Sequence, residues 1–123
     1  MTIVDSVGWL AFFKGEALAA QYRPYLRQPD LLCPTIIVYE VCRRIELGVG
    51  RQAAATVAAQ LLKTRIIPLD EGLATAAARV GLSHCLAMAD AIIYTTALPC
   101  QAALVTSDAH FQGLPLVTYH PHP

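Results

Sequence analysis

The chain is predicted to be an α/β protein with a mainly parallel central sheet of about four to five short strands flanked by helices. Three observations predict it. Short apolar runs alternate with longer helix-like segments from one end of the sequence to the other. The strand-like runs, such as Thr2–Val4 and Ala102–Val105, show no clean polar alternation, which suits strands covered on both faces. A chain of 123 residues that is 55% apolar and only 15% charged fits one domain, residues 1–123, with a sizeable core and no long disordered tail.

Taken in order, Thr2–Val4 reads as a first strand ending at Asp5. Ser6–Phe13 reads as a short helix with the only tryptophan, Trp9. Glu16–Leu26 is an amphipathic helix that Pro24 kinks or ends early. Asp30–Cys33 is a second apolar run. Pro34 then suits a first helical position, and the helix runs to about Leu47, where Gly48 and Gly50 stop it. Arg51–Lys63 is an Ala-rich helix and Arg65–Pro68 a third strand. Asp70 can cap a helix over Glu71–Val80, with Gly81 as its breaker. Ala87–Leu98 reads as a buried helix and Ala102–Val105 as a fourth strand. A helical turn over Asp108–Gln112 and a strand at Leu116–Thr118 follow. The closing His-Pro-His-Pro reads as a frayed end.

Composition excludes several classes. The formal net charge is zero, so nucleic acid would have to be met by a local basic patch. The opening MTIVDSVGW lacks the basic start of a signal peptide, and a cytoplasmic location is expected. The apolar window from Cys85 to Leu104 contains Asp90, Pro99 and Gln101, so helix, turn and buried strand is a better reading than a membrane span. Cys33, Cys42, Cys85 and Cys100 form no CxxC pair and no zinc spacing, and are expected as reduced core thiols.

From Val80 to Pro123 there is no Lys or Arg, and the only fully charged side chains are Asp90 and Asp108. A carboxylate in apolar surroundings is costly unless something cationic meets it. Five of the nine acids have ordinary surface readings: Glu16, Asp30, Glu46, Asp70 and Glu71. Asp5, Glu40, Asp90 and Asp108 sit in or beside apolar segments. Asp5 and Asp108 end strands, where ligands of open α/β sheets bind. Glu40 shares a helical face with Ile37, Val41, Arg44 and Ile45. Asp90, read as mid-helix, shares its face with Leu86, Ile93 and Ala97. Four acids from four elements converging on one crevice would repel each other and raise their own pKa values unless a divalent cation joined them. Oxygen-only ligation suits Mg²⁺ or Mn²⁺. Each acid also has a plainer reading. Asp5 and Asp108 suit helix caps. Glu40 suits an i+4 pair with Arg44, worth about 0.3–0.5 kcal/mol. Asp90 has no basic neighbour three or four residues away.

These motifs carry a resemblance. VDS at the first strand, Glu40 in YEV, MADAIIYTTA and then LVTSDAHF, in this order over nearly the whole chain, resemble the PIN domain, and most of all the VapC-type ribonuclease toxins of bacterial toxin–antitoxin pairs. By motif match Asp5, Glu40, Asp90 and Asp108 correspond to the family's acidic quartet. Ser6 corresponds to its hydroxyl after the first Asp, and Thr106 to its hydroxyl before the last. The pattern departs where Met88-Ala89 precede Asp90, a place where many relatives carry Gly, and in the His-Pro-His-Pro end. The resemblance implies Mg²⁺- or Mn²⁺-dependent endoribonuclease activity, leaving 5′-phosphate and 3′-hydroxyl ends. Within it Asp5, Asp90 and Asp108 are expected as metal ligands, and Glu40 as acting through water or orienting the nucleophile. It also implies a homodimer and an antitoxin that lays an apolar segment in a groove. The competing reading is a catalytically inactive PIN-like module that binds protein or RNA.

Other candidates are weaker. Arg43 and Arg44, with Arg51, Arg23 and Arg27, suit RNA phosphates or solvated helix faces equally. Tyr22, Tyr25, Tyr39 and Trp9 offer stacking surfaces, with core packing the better reading of Trp9. His84, His110, His120 and His122 lack ligand spacing apart from the loose His120/His122 pair. No Gly-rich phosphate loop is present. A receiver domain would need paired acids after the first strand and a late Lys, and has neither.

Overall fold

A computed structural model describes residues 1–123. Five strands, β1 (Thr2–Val4), β2 (Leu31–Pro34), β3 (Arg65–Ile67), β4 (Ala103–Thr106) and β5 (Val117–Tyr119), form one parallel sheet in the order β3-β2-β1-β4-β5. Helices α1 (Ser6–Lys14) and α2 (Ala19–Leu26) connect β1 to β2. Helices α3 (Thr35–Gly48) and α4 (Arg51–Leu61) lead to β3, and α5 (Glu71–His84) and α6 (Met88–Cys100) lead to β4. The chain leaves β1 toward one edge through β2 and β3, then returns to the other side of β1 as β4. The carboxyl ends of β1 and β4 are therefore neighbours at the point where strand order reverses, the usual ligand crevice of such sheets.

The central strands are apolar because both faces are covered. Ile3, Val4, Leu104 and Val105 are all essentially inaccessible. Ile37, Val41 and Ile45 form the buried stripe of α3, at the i, i+4, i+8 spacing of one helical face. α6 is enclosed from Ala91 to Ala97, as its unbroken apolar run requires.

Several sequence expectations shift. Gly81 does not break α5, which continues to His84. It is buried instead, and an added Cβ would lie 2.9 Å from that of Ala91, so its role is close packing of α5 on α6. Gly8 does the same between α1 and α2: a Cβ there would fall 2.3 Å from the Tyr22 ring. Pro34 ends β2 and precedes α3 rather than opening it. Pro24 lies inside α2 without ending it. Cys33 is a core thiol, and burial pushes its pKa up to about 12. Cys85 is not one: it is exposed, in a left-handed conformation just after α5. The Cys85–Leu104 window is split between α6 and β4, and no single helix is long and apolar enough to cross a membrane.

Candidate active site

Asp5, Glu40, Asp90 and Asp108 line one crevice beyond the carboxyl ends of β1 and β4, together with Ser6, Arg44 and Ser107. The largest cavity, about 940 Å³, lies elsewhere, at the amino ends of the strands among Met1, Trp9, Phe12, Leu31 and Arg65. It gathers no converging acids, so the chemistry points to the smaller crevice.

Asp5 is 5% exposed and rigidly held. Its Oδ1 accepts from the Ser6 N–H at 2.7 Å, and its Oδ2 accepts from the Thr106 hydroxyl at 2.7 Å. Burial drives its pKa upward, the two hydrogen bonds oppose that, and Asp108 adds repulsion. Thr106 Oγ1 also accepts the Asp108 N–H at 3.0 Å, so one buried hydroxyl ties the ends of both strands together. The helix-cap readings of Asp5 and Asp108 hold as well: Asp5 caps α1 through Ser6, and Asp108 caps the short turn Ala109–Phe111 through His110 N–H at 2.9 Å. Capping uses only part of each carboxylate, and both still line the crevice.

Asp90 is not mid-helix. It lies in the first turn of α6, where unpaired N–H groups favour a carboxylate. Its pKa is nevertheless pushed up to about 6, first by burial and then by Asp108 and Asp5. Glu40 is also raised to about 6, by burial and then by Asp5 and Asp90. Its Oε1 is buried without a hydrogen-bond partner. The i+4 pair with Arg44 does not form: no Lys or Arg nitrogen comes within 4.0 Å of any carboxylate in the molecule. Arg44 lines the crevice as a free cation, whereas Arg43 is exposed and does not line it.

The donors fit a divalent cation. Burial first, and then repulsion from neighbouring carboxylates, raises the pKa values of Asp5, Glu40 and Asp90, and one buried carboxylate oxygen lacks a partner. The sequence missed His110, whose Nδ1 lies 3.1 Å from Asp108 and 3.6 Å from Asp90. Ligand atoms of Asp90, Asp108 and His110 all fall within 4.8 Å of one another. The signal was the spacing Asp108-x-His110: Asp108 caps the turn in an extended conformation, and its Oδ1 accepts the His110 N–H and meets His110 Nδ1. His110 is a surface residue, 77% exposed, but its place is at the acids.

The aromatic candidates separate. Trp9 and Tyr22 are buried, and Tyr22 spends its hydroxyl on Ser107 at 2.6 Å. Tyr39 alone is broadly exposed, at 64%.

The PIN domain family model matches residues 2–115. The chain belongs to the PIN domain family. No curated protein matches it in sequence. Among solved PIN-like structures, it is similar over 99% of its length to the whole of a chain in a toxin–antitoxin complex from Klebsiella pneumoniae, at 22% identity and TM-score 0.85. VapC20 of Mycobacterium tuberculosis, described as a sarcin–ricin loop cleaving toxin, matches 90% of this chain with 92% of its own, at 19% identity and TM-score 0.78. A DNA-bound VapBC of Salmonella typhimurium matches 98% of each chain, at 15% identity and TM-score 0.76. At these identities the shared property is the PIN fold, as the parallel sheet and its crevice already indicated.

Proposed function

We propose that this PIN-domain protein is the toxin of a toxin–antitoxin pair and cleaves RNA as a Mg²⁺- or Mn²⁺-dependent endoribonuclease. The observation that carries the reading is the gathering of Asp5, Glu40, Asp90 and Asp108, from four separate elements, in one crevice with no Lys or Arg paired to them. Such a cluster disfavours its own ionised state, and a divalent cation relieves the conflict.

Asp5, Asp90 and Asp108 are the ligands in this reading, with Glu40 placed to orient a water through its unpartnered oxygen. Ser6 and Thr106 fix the Asp5 carboxylate before any ion arrives, which lowers the ordering cost of binding. When bound, the ion neutralises charge on the scissile phosphate and acidifies the attacking water. Arg44 at the crevice rim answers the negative charge of the RNA strand. The similar toxin–antitoxin complexes support an antitoxin as partner. The exposed Leu82 and Met88 beside the α5–α6 groove leave apolar surface for a second copy of the chain, the homodimer of this reading.

The test is cleavage of RNA by the purified chain with Mg²⁺, with Mn²⁺ and with EDTA, alongside Asp90→Asn. Cleavage that needs the ion and the carboxylate supports the reading. Tight RNA binding with no cleavage under any ion would favour a binding module instead.

A further inference from the structure

Of the last residues, which lie beyond the region matched by the family model, His120 is anchored to the sheet and Pro121–Pro123 are exposed. The His120 N–H donates to the Thr106 carbonyl at 2.8 Å, extending the β4–β5 ladder past Tyr119. The His120 ring packs against Tyr22 and Tyr25, and its Nε2 is 2.8 Å from the Tyr25 hydroxyl. With His120 pinned, Tyr119, Pro121 and His122 become part of the crevice wall. His122 and Arg44 also line a neighbouring hollow of about 420 Å³, with Lys14, Glu16 and apolar residues such as Leu10 and Leu18.

A polyanion approaching four carboxylates is repelled by them, so its affinity must come from cations alongside. The chain is neutral overall and has no Lys or Arg after Arg79. Arg44 is the only one of them in the crevice, and Lys14 joins it in the neighbouring hollow. Neither is held by a carboxylate within 4.0 Å.

We propose that this hollow is a subsite for the phosphodiester backbone of the RNA strand, with Lys14, Arg44 and His122 as donors and the segment Tyr119–His122, anchored at His120, as the wall guiding the strand into the acidic crevice. The inference rests on the ribonuclease reading for its substrate, but not for its binding test. Lys14 and His122 are positioning residues in it, remote from the bond that breaks.

The test has two arms. In turnover, Lys14→Ala and His122→Ala should each raise KM roughly tenfold, the loss of one charge-assisted hydrogen bond, with kcat held. Lys14→Arg and His122→Gln, which keep a donor, should restore it. In binding, followed by fluorescence anisotropy of an RNA oligonucleotide without divalent ion, Lys14→Ala should flatten the salt dependence of affinity by roughly one phosphate contact. Glu16→Gln should tighten binding. Unchanged KM and an unchanged salt slope, in variants that melt like the wild type, overturn the subsite. A wild type that cleaves nothing defeats the ribonuclease reading alone, and the salt slope still decides the subsite.

Discussion

The Thr106 hydroxyl donates to Asp5 Oδ2 at 2.7 Å and accepts the Asp108 N–H at 3.0 Å, joining the carboxyl ends of β1 and β4 through one buried atom. Asp5 and Thr106 are 101 residues apart in sequence. Their contact is made possible by the parallel pairing of Val4 with Val105, which sets the two strand ends side by side. The arrangement positions two of the proposed ligands together, so its loss should be felt at the site and in the fold.

Thr106→Val keeps the shape and removes the hydroxyl. Asp5 is left buried with an unsatisfied oxygen, at a cost of about 1–3 kcal/mol. The expected result is a lower melting temperature together with weaker Mn²⁺ binding by calorimetry. Thr106→Ser should recover most of both. If valine lowers stability but leaves ion affinity intact, the hydroxyl is structural only.

Asp90→Asn removes one member of a self-repelling set whose pKa is held at about 6. Without metal the variant should melt at or above the wild-type temperature, the small loss of a first-turn carboxylate being outweighed by relief of repulsion. It should not cleave RNA, and millimolar Mn²⁺ should no longer raise its melting temperature. A variant that unfolds would mean that Asp90 holds the structure rather than an ion. Asp5→Asn should likewise lose the Mn²⁺-induced rise.

Glu40 and Asp90 titrate near 6 when folded, against 4.5 and 3.8 without the burial and repulsion. Between those values the folded protein keeps protons that the unfolded chain has released. The contribution of these two groups to metal-free stability is therefore greatest at low pH, declines as pH rises toward 6, and is absent above it. Ion binding runs the other way, because it needs the deprotonated carboxylates. Scanning fluorimetry should show a larger Mn²⁺-induced shift at pH 7.5 than at pH 5. Equal shifts at the two pH values would disconnect the carboxylates from the ion.

Gly8→Ala places a methyl group where the Tyr22 ring and the Val4 side chain stand, 2.3 to 2.7 Å away. Overpacking of this kind costs about 1–3 kcal/mol. Because Tyr22 holds Ser107, which lines the crevice, the melting temperature and RNA cleavage should fall together. Gly15→Ala meets nothing within 4 Å and is the control for a local backbone effect, since its φ is +66°.

The order of elements and the identity of the acids were readable along the chain, because each depends on local pattern. An apolar run without alternation is a strand covered on both faces, and an acid inside apolar sequence is conspicuous whatever the fold. Asp5 and Asp108 could be assigned to strand ends, and Glu40 to the edge of an apolar helical stripe, for the same reason. Spacing alone could not decide between the Glu40–Arg44 pair and the crevice. That needed the packing of α3 against α1 and α6, which leaves Arg44 at the rim without a carboxylate partner. The anchoring of His120 was unreadable because its partners, Tyr25 and Thr106, lie far away in sequence, whereas His110 has a local partner in Asp108 and a distant one in Asp90. Gly81 was misread because a glycine that ends a helix and one that admits a neighbouring helix look the same in one dimension. Local chemistry thus determined the fold class and the candidate acids. Which groups meet was decided by the sheet order, since crossover connections convert sequence distance into contact in a way that no local pattern records.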